Sequence, residues 1–316
     1  MIKALALTGP TASGKTALSI NIAEKLDCEI ISLDSMQIYK GMDIGTAKAT
    51  ASEKRRVPHH MIDIISPKES FSAKAYRDMA MEIAKDISSR GKIPLFVGGT
   101  GLYLSTLQRA VCEEAPESDM GYRERYSKKI LTEEGRISVW ERLREVDPAS
   151  AEAIHYNNTR RVIRALEIFE TTGKTKSYFD ELSKMPNPDI SIKHVTLDFH
   201  NRDILYERAD LRVRAMLEVG LLDEVRLLLD SGELIPGTTA SQAIGYKEML
   251  GVIIDGDELS LATEVLQQAT RNYAKRQLTW FRNTNGAIPV FVDSEDGSAR
   301  PRREILTEVL SHFTEN

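Results

Sequence analysis

Short, mainly apolar runs alternate with helix-like segments over the first third of the chain. Ile2 to Leu7, Cys28 to Leu33 and Lys92 to Val97 have the length and apolar content of buried strands. Ala17 to Leu26 and Phe71 to Ser89 carry apolar residues at helical spacing. Strands and helices that alternate in this way imply a parallel sheet with right-handed crossovers. We therefore expect an α/β fold with helices flanking a parallel sheet.

The middle of the chain has a different pattern. Between Pro116 and Pro188 no strand signal occurs, and five segments are helix-like: Gly121 to Glu134, Arg136 to Glu145, Pro148 to Ile154, Thr159 to Thr171 and Lys176 to Lys184. Strand signal returns at His194 to Phe199. We predict that residues 1–114 and 193–316 form a core domain and that residues 115–192 form an inserted, all-helical domain.

Two short segments complete the predicted sheet. Met61 to Ile65 is expected to be a short strand, and Ile288 to Val292 the last one, whereas residues 41–60 lack a periodic pattern and are expected to form loops. His59 and His60 are adjacent, so their side chains point in different directions. We therefore expect no metal chelate there.

The first strand leads directly into a phosphate-binding motif, G-x-x-x-x-G-K-[ST], formed by Gly9, Pro10, Thr11, Ala12, Ser13, Gly14, Lys15 and Thr16. Its glycines let successive N–H groups surround an anion, and the following helix adds the positive end of its dipole. Lys15 would reach the outer phosphates, and the Thr16 hydroxyl would be a ligand of Mg²⁺. The motif predicts a P-loop NTPase-like sheet. It leaves open whether the phosphates belong to ATP, GTP or another diphosphate.

Asp34 and Thr100 each follow a predicted strand. Ligands of open α/β sheets bind beyond the carboxyl ends of the strands, so both residues are expected to face the phosphate loop. Asp34 could bind a metal, act as a general base, or serve as a turn or helix-capping residue. Thr100 lies among three glycines that allow a ligand to approach the backbone.

Two basic segments suggest a polyanionic partner. Arg160, Arg161 and Arg164 lie on neighbouring helical turns, which is also typical of a solvated helix face. Arg271 to Arg282 contains four cations, three aromatic residues and no acid. Cations interleaved with aromatic rings suit a nucleic-acid backbone and stacked bases. A core helix with buried rings and snorkelling cations would give the same pattern.

Composition limits the class of protein. The chain of 316 residues has 41% apolar and 28% charged residues, as ordinary globular proteins do. Its net charge of -5 means that a polyanion must be bound by local basic patches. Cys28 and Cys112 do not form a disulfide framework or a zinc motif. With no apolar segment near ~20 residues and no targeting signal, we expect a cytoplasmic protein without a membrane anchor.

The residues alone allow three functions. A small-molecule kinase would use the loop for ATP and the insert as a lid. A transferase with a nucleic-acid acceptor would use the insert as an RNA clamp. A nucleotide-dependent RNA-binding module is the third, which Asp34 and Thr100 disfavour. The basic, aromatic segment favours nucleic acid.

Seven ordered motifs resemble those of the bacterial tRNA dimethylallyltransferases. They are Gly9 to Thr16 (GPTASGKT), Asp34 to Thr46 (DSMQIYKGMDIGT), Pro58 to Asp63 (PHHMID), Val97 to Tyr103 (VGGTGLY), Asn158 to Glu167 (NTRRVIRALE), Ala243 to Glu248 (AIGYKE) and Tyr273 to Arg282 (YAKRQLTWFR). The resemblance spans nearly the whole chain. It departs from the family at Thr159, where many relatives have glutamine, and the zinc finger of eukaryotic relatives is absent.

The resemblance implies transfer of a dimethylallyl group from dimethylallyl diphosphate to N6 of adenosine 37, in tRNAs that read codons starting with U. It implies that the phosphate loop holds the prenyl diphosphate rather than ATP, and that Mg²⁺ is the cofactor. The expected partners are the tRNA anticodon stem-loop and dimethylallyl diphosphate, and we expect a monomer.

The resemblance also implies roles for single residues. Asp34 would take the proton from N6, while Lys15, Thr100 and Arg214 would stabilise the leaving diphosphate. Contacts with tRNA are expected at Asp34, Ser35, Met36, Gln37, Thr100, Arg123, Asn158, Thr159, Arg160, Arg161, Ala243, Gly245, Tyr246, Lys275 and Arg276.

Overall fold

The computed structural model describes residues 1–110 and 120–315, apart from the side chains of Met120 and Arg123. The chain forms two compact units, one made of Met1–Ser105 and Asp189–Asn316, the other of Thr106–Pro188. The predicted start of the insert and Cys112 lie outside the described residues.

A parallel sheet forms the centre of the first unit. Its strands are β1 (Ile2–Thr8), β2 (Cys28–Leu33), β3 (His59–His60), β4 (Ile93–Gly98), β5 (Ile190–Asp198) and β6 (Ala287–Phe291). Their spatial order is β3-β2-β4-β1-β5-β6, and every pairing is parallel. The chain leaves β1, passes over β4 and enters β2. The connection from β1 runs to one side of the sheet and the connection from β4 to the other, so the strand order reverses beside β1. Open α/β sheets bind ligands at such a point. The α/β prediction is confirmed.

The helices of the first unit are α1 (Lys15–Leu26), α2 (Ala51–Arg56), α3 (Ala73–Ser89), α4 (Gly101–Gln108, which runs into the second unit), α10 (Arg202–Glu218), α11 (Leu221–Asp230), α12 (Tyr246–Leu250), α13 (Leu259–Arg282) and α14 (Arg302–Thr314). Leu7 of β1 packs with Ile20 of α1, Leu278 of α13 and Val309 of α14 in one buried cluster. This cluster fixes α1 and α13 against the sheet, so the loops at the ends of its strands have a rigid base.

The second unit is mainly helical in its described part, with one antiparallel bridge between Arg109 and Pro186. It contains α5 (Met120–Ser127), α6 (Glu133–Val146), α7 (Pro148–Ala153), α8 (Thr159–Thr172) and α9 (Lys176–Leu182). Leu143 of α6 and Leu166 of α8 are fully buried in its core. Asp147 caps α7 by accepting the N–H of Ser150, as the Asp-Pro pair at the start of that helix predicts.

Three local predictions were wrong. Strand β5 begins at Ile190, so residues 190–192 belong to the sheet and not to the insert. The edge strand is His59–His60 rather than residues 61–65, because Met61 and Asp63 have positive φ angles of 60° and 57° that an extended strand excludes. Helix α2 replaces an expected loop, since Thr50 and Glu53 form a capping box.

No helix in the described part of the chain is both long enough and apolar enough to cross a membrane.

Candidate active site

The phosphate loop is folded as an anion site. Gly14 has φ 92° and begins α1, whose first N–H groups have no intrahelical acceptor and so remain available to an anion. Gly9 has φ 143°, and a Cβ there would lie 2.8 Å from the carbonyl oxygen of Leu197. No other residue fits this position, because strand β5 passes too close.

The loop forms one wall of a cavity of about 590 Å³ at the carboxyl ends of β1, β2 and β4. Five residues of the motif line it: Thr11, Ala12, Gly14, Lys15 and Thr16. Ser13 is buried, and Gly9 and Pro10 contribute carbonyl groups to the lysine contact described next. The predicted loop thus divides into residues that face the cavity and residues that shape the turn.

Lys15 lies at the floor of the cavity. Its Nζ donates hydrogen bonds to the carbonyl oxygens of Gly9 (2.9 Å) and Pro10 (2.6 Å). Burial lowers the pKa of Lys15 to about 7, with a further lowering from the Arg212 charge and a partial rise from Asp34. The Lys15 ammonium therefore loses its proton at lower pH than an ordinary lysine does, and an anion in the cavity would stabilise its charged form.

Asp34 follows β2 directly and lines the same cavity. One carboxylate oxygen accepts the N–H of Met36 at 2.9 Å, so the residue also holds its own turn. Burial raises the pKa of Asp34, against the lowering effect of this hydrogen bond and of the Lys15 and Arg212 charges. The result is a carboxylate between two cations that is a stronger base than an exposed aspartate.

Thr100 connects the ends of β2 and β4. Its Oγ1 accepts the N–H of Ser35 at 3.2 Å, and its hydroxyl also contacts the phenol of Tyr273. Tyr273 lines the cavity, where burial and the nearby Asp34 charge raise its pKa. Thr100 itself does not line the cavity, so the geometry gives it the role of holding Ser35 and Tyr273 in place.

Helix α10 presents Arg208 and Arg212 to the cavity, one turn apart. Burial lowers the pKa of Arg212, and the Asp34 charge partly offsets this. Arg214, to which we assigned diphosphate stabilisation, is exposed and does not line the cavity. An α-helix has 3.6 residues per turn, so residues two positions apart lie about 200° apart around it. Arg212 and Arg214 therefore cannot share a face. The structure places Arg212, not Arg214, beside the loop.

The residues after Asp34 form another wall. Gln37 lines the cavity, and its amide accepts from Ser32 Oγ (3.0 Å) and donates to the Thr46 carbonyl (3.1 Å). Ser35 and Met36 are half-buried. Both ends of the Gln37 amide are thus engaged, which fixes the shape of this wall.

Oxygen ligands for a metal are present at the loop. Thr16 and Asp34 both line the cavity and offer a hydroxyl and a carboxylate. Among the described residues no group of three or more His, Cys, Asp or Glu side chains could hold a metal ion. His59 also lines the cavity, with its Nδ1 bonded to the Val57 carbonyl, whereas His60 bonds to Glu29. The donor set suits Mg²⁺, which needs few protein ligands and keeps several waters.

The sequence model of the IPP transferase family matches residues 37–284. The chain belongs to this family. A Bacillus cereus protein named tRNA dimethylallyltransferase is 48% identical over 284 residues, which is 89% of this chain and 87% of the relative. A second protein with this name, from Caldanaerobacter subterraneus, is 43% identical and covers 92% of each chain.

A solved structure gives the same result. The tRNA isopentenylpyrophosphate transferase of Bacillus halodurans is 40% identical, with a TM-score of 0.70 over 100% of this chain and 98% of that chain. The resemblance found in the sequence motifs is therefore confirmed. The family match begins at Gln37, so the roles of the phosphate loop and of Asp34 rest on their geometry.

Helix α13 contains the basic, aromatic segment Arg271 to Arg282. In the structure, two of its four cations form ion pairs and two do not. Arg271 forms an ion pair with Asp210 at 2.6 Å, and Arg282 pairs with Asp198 at 2.7 Å. Lys275 and Arg276 are exposed, and neither forms an ion pair with a described residue. Half of the predicted patch is thus structural, and Lys275 with Arg276 remains available to an anionic partner.

The predicted tRNA contacts at Ala243, Gly245 and Tyr246 do not fit the structure. All three are buried, and Tyr246 is fully enclosed in the core formed by α11 and α12. The Tyr246 hydroxyl donates to Glu224 at 2.6 Å, and Glu224 in turn accepts the N–H of Ile44. Through Glu224, Tyr246 supports the loop after Gln37 from the protein interior. All three residues are too buried for a side-chain contact with RNA.

The second unit carries the remaining predicted contacts at the start of α8. Asn158, Arg160 and Arg161 are exposed, and Thr159 is half-buried. Neither arginine pairs with an acid in the described part of the chain, whereas Arg164 pairs with Glu167 at 2.7 Å. The side chain of Arg123 lies outside the described residues.

The cavity residues that the sequence analysis missed include Arg208, Arg212, Tyr273 and Gln277. The spacing of Arg208 and Arg212 by four residues was a signal that they share a helix face. Gln277 was also detectable, as a polar residue on the apolar stripe that contains Ala274, Leu278 and Phe281. Tyr273 gave no signal beyond its helical position.

Proposed function

We propose that this protein transfers the dimethylallyl group of dimethylallyl diphosphate to N6 of adenosine 37, in tRNAs that read codons starting with U. Membership of the IPP transferase family and the name of the relatives, tRNA dimethylallyltransferase, support this reaction. A eukaryotic dimethylallyltransferase structure, described as acting on tRNA, is 31% identical with a TM-score of 0.76, and covers 92% of this chain and 74% of that chain. The observation that carries the mechanism is that Asp34 and the phosphate loop line one cavity.

Asp34 is the base of the transfer. An exocyclic adenine amine is a weak nucleophile, so the carboxylate orients it by accepting a hydrogen bond from N6. As the bond between N6 and C1 of the dimethylallyl group forms, the bond from C1 to oxygen breaks and its electron pair leaves with the diphosphate. The N6 proton passes to Asp34, whose raised pKa favours this step.

The phosphate loop and the cations around it hold the diphosphate. The free N–H groups at the start of α1 point to the anion, and Lys15 and Arg212 supply charge where negative charge develops on the leaving group. The Lys15 ammonium exchanges its two carbonyl acceptors for phosphate oxygens. Thr16 would hold Mg²⁺, which would neutralise part of the diphosphate charge when bound.

Exposed cations hold the tRNA. Lys275 and Arg276 on α13, and Arg160 and Arg161 on α8, contact phosphates, with Asn158 beside the last two. The target base leaves the anticodon-loop stack to reach Asp34, as bases do in enzymes that modify them.

Asp34→Asn tests this function. The amide keeps the shape of the carboxylate and cannot take a proton, so transfer from labelled dimethylallyl diphosphate to tRNA in a single turnover should slow by about 10²–10⁴. Binding of tRNA should persist, which a filter-binding titration checks. An unchanged single-turnover rate in Asp34→Asn would place the base elsewhere.

A further inference from the structure

Gln277 is a buried amide that joins two loops of the active site. It lies on α13 with 6% of its surface exposed. Its Oε1 accepts the N–H of Thr11 at 2.8 Å, and its Nε2 donates to the carbonyl oxygen of Gly99 at 3.0 Å. Because a backbone N–H can only donate and a carbonyl can only accept, the two partners fix the orientation of the amide.

The surrounding backbone is shaped to this amide. A Cβ on Gly99 would lie 2.0 Å from the Nε2 of Gln277, so only glycine allows the contact. One turn along the same face of α13, a Cβ on Gly101 would lie 2.1 Å from the indole nitrogen of Trp280. One turn in the other direction, Tyr273 contacts Thr100. Positions i, i+4 and i+7 of α13 thus pack on the turn after β4.

Thr11 needs this partner. The next residue, Ala12, has φ 63°, a left-handed conformation that surrounding contacts must maintain. The N–H of Thr11 is committed to Gln277, and the N–H of Ser13 donates to the Pro10 carbonyl at 3.3 Å, so neither of these two faces an anion. The N–H groups at the start of α1 remain available to it. A half-buried N–H that lost its acceptor would favour another loop conformation.

We propose that Gln277 is the positioning residue of the diphosphate site: it fixes Thr11 against Gly99, so that the loop N–H groups converge on the diphosphate before it binds. The proposal rests on the assignment of this loop to the diphosphate. Preorganised donors bind an anion better than donors that must first reorganise, so loss of the amide should weaken diphosphate binding.

The test compares three variants by calorimetric titration with inorganic diphosphate and Mg²⁺, well below each melting temperature. Gln277→Met keeps the volume and removes both hydrogen bonds, and should weaken binding about 10- to 100-fold. Gln268→Met is the matched control, since Gln268 is exposed on the same helix, and it should bind as the wild type does.

Gln277→Glu should give a pH dependence of diphosphate binding that a general loss of rigidity in the loop would not give. Its carboxylate accepts from Thr11 but cannot donate to Gly99, whereas its protonated form does both. Relative to wild type at each pH, binding should therefore recover as the pH falls.

The outcomes are distinct. Weak binding by Gln277→Met together with recovery of Gln277→Glu at low pH supports the proposal. Binding equal to wild type in folded Gln277→Met overturns it, and so does a Gln277→Glu variant whose relative affinity does not change with pH. Failure of the wild type to bind diphosphate at all would overturn the proposed function as well.

Discussion

At the scale of single residues, the site is a set of three charges that change each other's protonation. Lys15 has its pKa lowered to about 7, and Asp34 has its pKa raised, chiefly because both are buried. Arg212 lowers the pKa of each of them. In the proposed mechanism, transfer requires Lys15 to be protonated for the diphosphate and Asp34 to be ionised for the proton at the same time. The working pH range therefore lies between the two pKa values.

The first prediction is the pH dependence of kcat/KM for dimethylallyl diphosphate, which reports the free enzyme. Lys15 is charged below its pKa, so kcat/KM should fall as pH rises through about 7. On the acid side it should fall where Asp34 gains a proton, above the ordinary aspartate pKa. Bound diphosphate raises the pKa of Lys15, so the alkaline fall in kcat should come at higher pH.

Lys15→Arg identifies the alkaline group. Arginine stays charged throughout this range, so the fall in kcat/KM near pH 7 should disappear even though turnover is slower. If the same fall remains in Lys15→Arg, it belongs to another group or to the substrate.

The limits of sequence analysis at this scale follow from side-chain direction. The motif placed Lys15 and Thr16 correctly beside the cavity, because a strand, a loop and a helix of fixed lengths define that position. The resemblance pointed to Arg214, and the sequence does not distinguish it from Arg212, because both are cations on one predicted helix. Only the packing of α10 shows which of them faces the loop.

At the scale of elements, α13 has two functions on two faces. One face contacts the phosphate loop and the turn after β4 through Gln277 and Tyr273. Lys275 is exposed on the other face, and Arg276 is exposed beside Tyr273, with its guanidinium 5.7 Å from the centre of that ring. The sequence predicted a helix in which cations alternate with rings, and left open whether it was core or surface. The structure shows a helix of 24 residues that spans core and solvent, and binding of nucleic acid by its exposed cations stays a prediction.

The second prediction concerns the exposed cations of α13. Lys275→Ala and Arg276→Ala should each weaken binding to all substrate tRNAs about equally, and should lower the slope of log affinity against log salt by ~0.7–0.9 per contact. Specificity should not change, because phosphates carry no sequence information. Filter binding between low and moderate salt measures the slope.

Arg271→Ala is the matched control for these variants. Its guanidinium is engaged by Asp210, so its loss should lower the melting temperature and leave the salt slope unchanged. Should Lys275→Ala and Arg276→Ala also lower the melting temperature without changing the slope, α13 would be a structural helix only.

At the scale of the whole molecule, the cavity and the exposed arginines of α8 belong to different units. Every residue that lines the cavity belongs to the sheet unit, while α8 with its exposed arginines belongs to the helical unit. The sequence predicted this division from the loss of strand signal. It misplaced the return to the sheet because Ile190, Ser191 and Ile192 are too short a stretch for their alternation to indicate a strand.

The third prediction is that the sheet unit binds diphosphate alone. Replacement of Thr106–Pro188 by a short flexible linker should leave a folded protein, since β1 and β5 pair within the sheet unit. Its diphosphate affinity should change by less than about threefold, while tRNA affinity should fall by about 10² or more through lost phosphate contacts. Retained tight binding of tRNA would show that the helical unit is not the clamp.

The most direct measurement is the fate of the prenyl group. The protein is incubated with labelled dimethylallyl diphosphate, Mg²⁺ and an unmodified tRNA that reads a codon starting with U, and the digested tRNA is analysed by mass spectrometry. We predict N6-(dimethylallyl)adenosine at position 37, one diphosphate released per group transferred, no label in a transcript with guanosine at that position, and no consumption of ATP. Label at another position, or product formation that requires ATP, would contradict the account.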